Sequence, residues 1–201
     1  RDTYFKLLES LRKQAFIRNR KLSCTIRMHQ VKYLLRSGTP PADKGLLMCY
    51  NMGNMKKIQA RNSILNVDEA KDYLSHLDHY PLPLDIALPV FEWCRLFRDG
   101  QFKGMLRDVS PADVKNCGLF TFREENRYIC LHDSLWHDFH LREGDVVHTE
   151  SAEYNDLKSI ASYTAAHVQN DSMNVIFFSC DSITLSKYSP DGLEAIYNIY
   201  R

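Results

Sequence analysis

Four short segments that are apolar or begin apolar limit the possible folds of this chain more than any other feature. They cover residues 22–30, 45–52, 84–92 and 174–181. Continuous apolar runs bounded by glycine, proline or polar turns are typical of strands that are buried on both faces. Helical patterns lie between the first three segments, at intervals of roughly 25 to 40 residues, so the sequence predicts βαβ units and a parallel sheet.

The stretches around these strands carry helix signals. Asn66 followed by Glu69 has the spacing of an N-cap and its third helical residue. We expect helices over residues 2–16, 66–79, 153–168 and 191–200. The apolar side chains that share one face of the first helix are Tyr4, Phe5, Leu8, Leu11 and Ala15.

After Trp93 the pattern changes to short strands with turn residues. Arg98-Asp-Gly100 is typical of a hairpin turn, which predicts a hairpin over residues 95–105. Ser110 precedes a short helix as its cap, and strands are expected over residues 121–131 and 145–149. The sequence therefore predicts one domain over residues 1–201, with a small antiparallel insertion at 95–150.

Composition excludes some classes of function. The chain has 201 residues, 44% of them hydrophobic, which is enough for one domain with a core. Its net charge is +1 and no basic patch stands out, so a nucleic-acid partner has no electrostatic support. No run of about 18 apolar residues is present, so we expect no transmembrane segment. The chain opens within an amphipathic pattern and without methionine, so its natural N-terminus is expected to be missing.

Cysteine and histidine give no strong metal or redox signal. The six cysteines form no Cys-x-x-Cys pair, and we interpret them as small buried apolar side chains. A disulfide between Cys117 and Cys130 is the alternative. The stretch Leu131–His140 is rich in histidine and aspartate, but its spacing fits neither a zinc nor a metalloprotease pattern. We expect no metal and no cofactor.

Three strand ends share motifs with one enzyme family. Met48-Cys49-Tyr50-Asn51 is similar to a Met-x-Tyr-Asp motif, and Ala87-Leu-Pro-Val-Phe91 to an apolar run that ends in Pro-x-Tyr or Pro-x-Phe. Val175-Ile-Phe-Phe-Ser-Cys-Asp181 resembles an apolar strand that ends near an acidic residue. These are motifs of strands six, seven and eight in family 18 glycoside hydrolases, the chitinase-type barrels. The resemblance covers most of the chain and suggests a bacterial relative.

The resemblance implies an α/β fold that is part of a (β/α)8 TIM barrel. The chain would supply the C-terminal half, strands five to eight, with the antiparallel β insertion between strands seven and eight. A full barrel needs about 250 residues, and an open half exposes two sheet edges. We therefore expect a truncated chain whose partner is the missing N-terminal half or a second copy. A secreted, periplasmic or lipoprotein location is also implied by the resemblance.

Two departures from the family pattern bear on activity. The family's Asp-x-x-Asp-x-Asp-x-Glu run, whose glutamate protonates the leaving oxygen, does not occur in this sequence. By position it would precede Arg1. Asn51 stands where the family has aspartate, and an amide binds acetamido or hydroxyl groups but cannot carry the charge that stabilises an oxazolinium-like intermediate. The resemblance thus implies a barrel half without its catalytic acid.

The candidate substrate-binding residues on the first two strands are Arg27, His29, Tyr50 and Asn51. Tyr50 would donate a hydrogen bond to a sugar, and Asn51 would bind an acetamido or hydroxyl group. Arg27 and His29 are expected to share one strand face, where an inward arginine pairs with a carboxylate. The structural alternatives are a buried tyrosine, a turn-forming asparagine and an internal ion pair.

Three further candidates lie at the ends of the later strands. Glu92 is the carboxylate so placed that it could act as an acid or base, and a structural ion pair is its alternative. Trp93 offers an aromatic face for stacking on a pyranose ring, with core packing as its alternative. Asp181 is a candidate for substrate binding, or else a helix cap or turn residue.

Two functions follow from these residues. The first is a glycoside hydrolase-like barrel that acts on or binds an oligosaccharide or polysaccharide, with its catalytic acid outside this chain. The second is a non-catalytic carbohydrate-binding or cell-surface scaffolding protein. The missing acidic run and Asn51 favour the second, although a fold alone does not fix a function.

Overall fold

The computed structural model describes residues 1–169, 172–179 and 185–201. These residues form two compact units. Unit 1 consists of Arg1–Tyr50, Val67–Pro89 and Tyr154–Arg201, and unit 2 of Asn51–Asn66 and Val90–Glu153. Among the helices described, none has the length and apolar character needed to cross a membrane.

Unit 1 is built on a parallel sheet of four strands. The strands are β1 (Ser23–Arg27), β2 (Lys44–Met48), β3 (Leu84–Pro89) and β11 (Val175–Phe178), and they neighbour one another in that order. Ile26, Leu47 and Ile86 on the first three strands are inaccessible to solvent. The parallel pairing predicted from the continuous apolar runs is confirmed.

Helices of unit 1 connect and flank these strands. They are α1 (Asp2–Ile17), α2 (Met28–Lys32), α3 (Leu34–Ser37), α4 (Val67–Tyr73), α6 (Tyr154–His167) and α7 (Pro190–Tyr197), with 3-10 turns at Leu77–His79 and Asn198–Tyr200. Helix α6 buries Leu157, Ile160 and Ala161. The helix predicted over residues 2–16 is confirmed as α1. Of the apolar side chains on its shared face, Leu8 is buried, whereas Tyr4 and Leu11 are 50% and 45% exposed.

The predicted ends of three strands are wrong. Strand β1 ends at Arg27 rather than residue 30, because the Gln30 side chain accepts a hydrogen bond from the Arg27 backbone N–H (2.9 Å) and starts α2. Strand β2 ends at Met48, and the chain then reaches Asn51, whose φ of 58° lies outside the strand region. Strand β3 ends at Pro89, which has no N–H to continue a ladder.

Unit 2 is built on an antiparallel sheet. Its strands are β4 (Glu92–Arg98), β5 (Gln101–Leu106), β6 (Phe120–Glu124), β7 (Arg127–Cys130) and β10 (Val146–Ser151), in the order β5-β4-β10-β7-β6. A separate hairpin pairs β8 (Ser134–Trp136) with β9 (Phe139–Leu141). The predicted turn after Arg98 is confirmed, since Asp99 and Gly100 have φ values of 51° and 73°, as a two-residue hairpin requires. Helix α5 (Pro111–Asn116) is capped, as predicted, by Ser110, whose hydroxyl accepts from the Asp113 N–H (3.1 Å).

The two faces of the unit 2 sheet differ in character. One face forms an apolar core, whose buried members are Cys94, Leu96, Leu106, Val109, Val114, Phe120, Cys130, Leu141 and Val147. Because successive strand residues point to opposite faces, Trp93 and Arg95 of β4 lie on the other face, in register with Glu150 and His148 of β10. That second face is polar and yet buried.

Tight packing around Gly45 of β2 gives a first testable prediction. A Cβ added there would lie 2.7 Å from Leu84 Cδ2 and 2.8 Å from Ile26 Cγ1, and both neighbours are buried. We expect Gly45→Ala to lower the free energy of unfolding by about 1–3 kcal/mol through overpacking. Denaturant titration of this variant and of Gly45→Ala/Leu84→Val should show partial recovery in the double variant. Unchanged stability of Gly45→Ala would contradict the packing described.

Candidate functional site

In unit 1, the structure separates Arg27 from His29. Arg27 is exposed at the end of β1, whereas His29 is exposed on helix α2. The prediction that both share one strand face is therefore wrong, because the Gln30 cap ends the strand before His29. Partial burial, together with the charge of Arg27, lowers the pKa of His29.

Tyr50 also belongs to unit 1, and its surroundings are aromatic. Its side chain is buried, and its ring lies parallel to that of Phe178, with centroids 5.4 Å apart and an interplanar angle of 4°. Burial raises the pKa of the Tyr50 hydroxyl. Phe178, at the end of β11, keeps 48% of its surface exposed, which adds an aromatic surface that sequence analysis missed. Asp181, a few residues further on, lies outside the described residues.

In unit 2, Glu150 organises the polar face of the sheet. Its carboxylate is buried, and its Oε1 accepts a hydrogen bond from Arg95 Nη2 in a buried salt bridge. Its Oε2 accepts from Ser63 N (3.0 Å), Ser63 Oγ (2.5 Å) and Trp93 Nε1 (2.7 Å). Charge-assisted bonds of this kind are the strong ones, so Glu150 joins the sheet to the segment Asn51–Asn66.

Arg95 binds the same segment from the next position along β4. It is inaccessible to solvent, and it donates from Nη1 to the Met55 carbonyl (2.7 Å) and from Nη2 to the Ala60 carbonyl (2.9 Å). Its planar guanidinium can reach several acceptors at once, which a lysine cannot do in the same geometry. The segment Asn51–Asn66, which has no helix or strand of its own, is therefore held by a buried ion pair.

His148 completes this polar face. It is buried, and its Nδ1 lies 3.2 Å from Arg95 Nη2. Burial lowers the pKa of His148 to about 4, with the charges of Arg95 and Arg127 acting in the same direction. The ring is thus neutral at neutral pH, and Nδ1 is free to accept the hydrogen bond from the guanidinium.

The hydrogen-bond network around Glu150 includes Trp93 and the backbone next to Asn51, two of the predicted sugar-binding residues. Trp93 is half-buried, with its N–H bound to Glu150 and its ring 5.2 Å from that of Phe91, at an angle of 50°. Asn51 is exposed, and its backbone N–H donates to the Ile64 carbonyl (3.0 Å), one residue beyond Ser63. The structure thus connects Asn51 to Trp93 through Ser63 and one carboxylate.

Glu92 and Trp93 were predicted to close the third parallel strand, and this prediction is wrong. Both lie in β4, at the start of the antiparallel sheet of unit 2. Glu92 is half-buried, in register with Ser151, and alternation places it on the face opposite Trp93. The two side chains therefore do not point toward one and the same ligand.

Arg95, His148 and Glu150 were not predicted as site residues, although their positions in the sequence carry a signal. Trp93 and Arg95 are two residues apart on one strand, as are His148 and Glu150 on another. Polar residues that recur at every second position of a strand indicate a polar face. What the sequence does not show is that this face is covered, since the covering segment has no regular structure.

The structure also bears on the alternative disulfide and on the histidine-rich stretch. Cys117 and Cys130 are free thiols, which donate weakly to the carbonyls of Val114 (3.6 Å) and His132 (3.2 Å), so the alternative disulfide is not formed. Within the described ranges, no three histidine, cysteine or acidic side chains are grouped as a metal site would require. His137 lies at the turn between β8 and β9, with a φ of 46°.

Several solved structures resemble this chain in fold. No protein-family model and no curated protein matches the sequence. The C-terminal domain of a protein described as a chitinase from Desulfitobacterium hafniense matches with a TM-score of 0.60 and 12% identity, over 100% of this chain and 61% of that one. A chitinase from Chromobacterium violaceum matches with a TM-score of 0.55 and 15% identity, over 96% of this chain and 62% of that one.

Catalytic domain 2 of the Group II chitinase from Ostrinia furnacalis matches likewise, with a TM-score of 0.55 and 14% identity, over 100% of this chain and 60% of that one. At such identities the likeness establishes the fold, which is the mixed α/β fold of chitinase catalytic domains. The chain spans about three fifths of the length of the structures it matches.

Proposed function

We propose that this chain binds carbohydrate through a surface of unit 2 that includes Trp93 and Asn51, and that chitin-type oligosaccharides are its ligands. The observation that carries the proposal is the half-buried indole of Trp93, whose N–H is held by Glu150, the residue that also binds the Asn51–Asn66 segment. Aromatic rings that are packed on one side suit the apolar faces of pyranose rings. The chitinase-type fold supports the choice of sugar.

Each candidate has a proposed role. Trp93 stacks on a sugar ring, and the exposed amide of Asn51 binds an acetamido or hydroxyl group. In unit 1, Tyr50 and its stacked partner Phe178 offer a further aromatic surface. The side chains proposed for additional polar contacts are Arg27, His29 and Asp181.

We also propose that the parallel sheet of unit 1 corresponds to strands five to eight of a (β/α)8 barrel, and that residues 95–150 are an insertion between strands seven and eight of that single domain. The partner would be the N-terminal half of the barrel or a second copy of the chain. Exposed apolar side chains on α1 support such a partner, since Phe16 and Ile17 are 83% and 81% exposed beside a groove of about 960 Å³.

Hydrolysis of the bound sugar is the second candidate function. The fold of the matched chitinases favours it. Glu92 is the proposed acid or base within this chain, and upstream carboxylates would otherwise supply the acid. Binding without hydrolysis is the better supported function, because Asn51 replaces the family's aspartate and because Glu92 and Trp93 lie on opposite faces of their sheet.

The binding role of Trp93 can be tested by substitution. We expect Trp93→Ala to weaken the affinity for chitin oligosaccharides about tenfold or more, because the stacking surface is lost. Isothermal titration calorimetry measures this, with Trp136→Phe as the matched control. Trp136 belongs to the apolar face of unit 2, so that variant should bind as the wild type does. Unchanged affinity in Trp93→Ala would remove Trp93 from the site.

A further inference from the structure

We propose that Glu150 is a positioning residue, which fixes the indole of Trp93 and the segment that carries Asn51 in one relative arrangement. The identity of the ligand in this inference rests on the proposed function, but the positioning itself does not. Glu150 lies outside the three motifs that resemble the chitinase-type family. The inference comes from the number and the origin of the donors that its buried carboxylate accepts.

The two carboxylate oxygens of Glu150 accept hydrogen bonds from different groups. Oε1 takes the guanidinium of Arg95, whereas Oε2 takes the indole N–H of Trp93 together with both the N–H and the hydroxyl of Ser63. A glutamine in this place would have one acceptor oxygen. Its amide nitrogen would face either Arg95 or the donors of Trp93 and Ser63, so one set of donors would lose its partner.

The hydrogen bond to Glu150 also fixes the orientation of the Trp93 ring. Rotation about the bond that carries an indole is broad, so packing alone leaves the ring several orientations. The hydrogen bond from Nε1 to Glu150 (2.7 Å) selects one of them and thereby decides which part of the half-buried ring meets solvent. A stacking platform that is held in this way loses less entropy on binding.

Backbone hydrogen bonds at Ser63 and Ile64 connect Glu150 to Asn51. Ser63, bound by Glu150, accepts through its carbonyl a hydrogen bond from the Met52 N–H (2.8 Å), and Ile64 accepts one from the Asn51 N–H (3.0 Å). Asn51 has a φ of 58°, in the left-handed region that residues other than glycine adopt uncommonly. These hydrogen bonds therefore help to hold its backbone. One carboxylate thus determines where both proposed sugar contacts lie.

The test uses the two tryptophans of the chain, Trp93 and Trp136. In a Trp136→Phe background, Trp93 is the remaining indole, so emission and the indole N–H resonance report on it alone. We expect Glu150→Gln in this background to shift that resonance, to speed its exchange with solvent and to move the emission. Affinity for chitin oligosaccharides should fall about tenfold while circular dichroism remains that of a folded chain.

A second variant keeps the inference testable if Glu150→Gln does not fold. Ser63→Ala leaves the carboxylate and its ion pair with Arg95 in place but removes one donor to Oε2. It should fold and should shift the Trp93 indole resonance by a smaller amount. An unchanged indole resonance in the folded variants would overturn the positioning role. If the resonance shifts as expected but the wild type binds no oligosaccharide, the positioning role stands and the proposed function falls.

Discussion

Replacing Arg95 with methionine is expected to lower the free energy of unfolding by about 3–5 kcal/mol, because the Glu150 carboxylate is left buried without its cation. Both side chains of this pair are inaccessible to solvent. The carbonyls of Met55 and Ala60 also lose their donor. Denaturant titration followed by tryptophan fluorescence measures the loss, and the segment Asn51–Asn66 should become more susceptible to proteolysis.

Two controls separate the loss of the ion pair from the loss of a side chain. Arg61→Met removes an arginine whose partner Glu125 lies 3.3 Å away at the surface, with the two side chains 76% and 47% exposed. Exposed pairs contribute about 1 kcal/mol or less, so this variant should be close to the wild type. Arg95→Met/Glu150→Met removes both charges and should be more stable than Arg95→Met alone. Equal effects of Arg61→Met and Arg95→Met would contradict the buried network.

Acid is expected to destabilise unit 2 through His148. Its pKa is about 4 in the folded chain, against an ordinary value of 6.5 that the unfolded chain keeps. Between these values the unfolded state binds a proton that the folded state excludes, so stability falls as the pH is lowered from about 6.5 to about 4. The full difference amounts to roughly 3 kcal/mol, and it is complete below pH 4.

The contribution of His148 is isolated by comparison with His148→Asn. Asparagine does not titrate, and its side-chain oxygen can take the place of the Nδ1 acceptor that lies 3.2 Å from Arg95. Denaturant titrations at several pH values should therefore give a flatter profile for this variant between pH 6.5 and 4. Carboxylates with lowered pKa values, such as Asp145, lose their contribution further down the pH scale in both proteins. Parallel profiles would show that His148 is not held neutral by its surroundings.

Much of the fold could be predicted from local patterns. Buried parallel strands are apolar along their whole length, so residues 45–52 and 84–92 were recognisable without knowledge of their neighbours. The hairpin turn at Asp99 and Gly100 was recognisable because both positions require a positive φ. The early end of β1 could not be predicted from local patterns. It depends on a hydrogen bond from the Arg27 backbone N–H to the side chain of Gln30, which starts helix α2 in place of a longer strand.

The candidate site was less predictable, because its network depends on strand register. Arg95 and Glu150 are 55 residues apart in sequence, and only the pairing of β4 with β10 places them side by side. Trp93 was found as an aromatic residue near a strand end, although the strand proved to belong to the antiparallel sheet. A sequence pattern identifies a chemical group, whereas its partners follow from tertiary structure.

Titration of the wild-type chain with chitopentaose in a calorimeter is the most direct test of carbohydrate binding without hydrolysis. We expect a saturable binding isotherm that returns to baseline after each injection. The absence of any heat, together with unchanged tryptophan fluorescence, would contradict carbohydrate binding at this site. A steady heat signal that persists after each injection would instead show hydrolysis, and it would contradict the proposal that the chain binds its sugar without cleaving it.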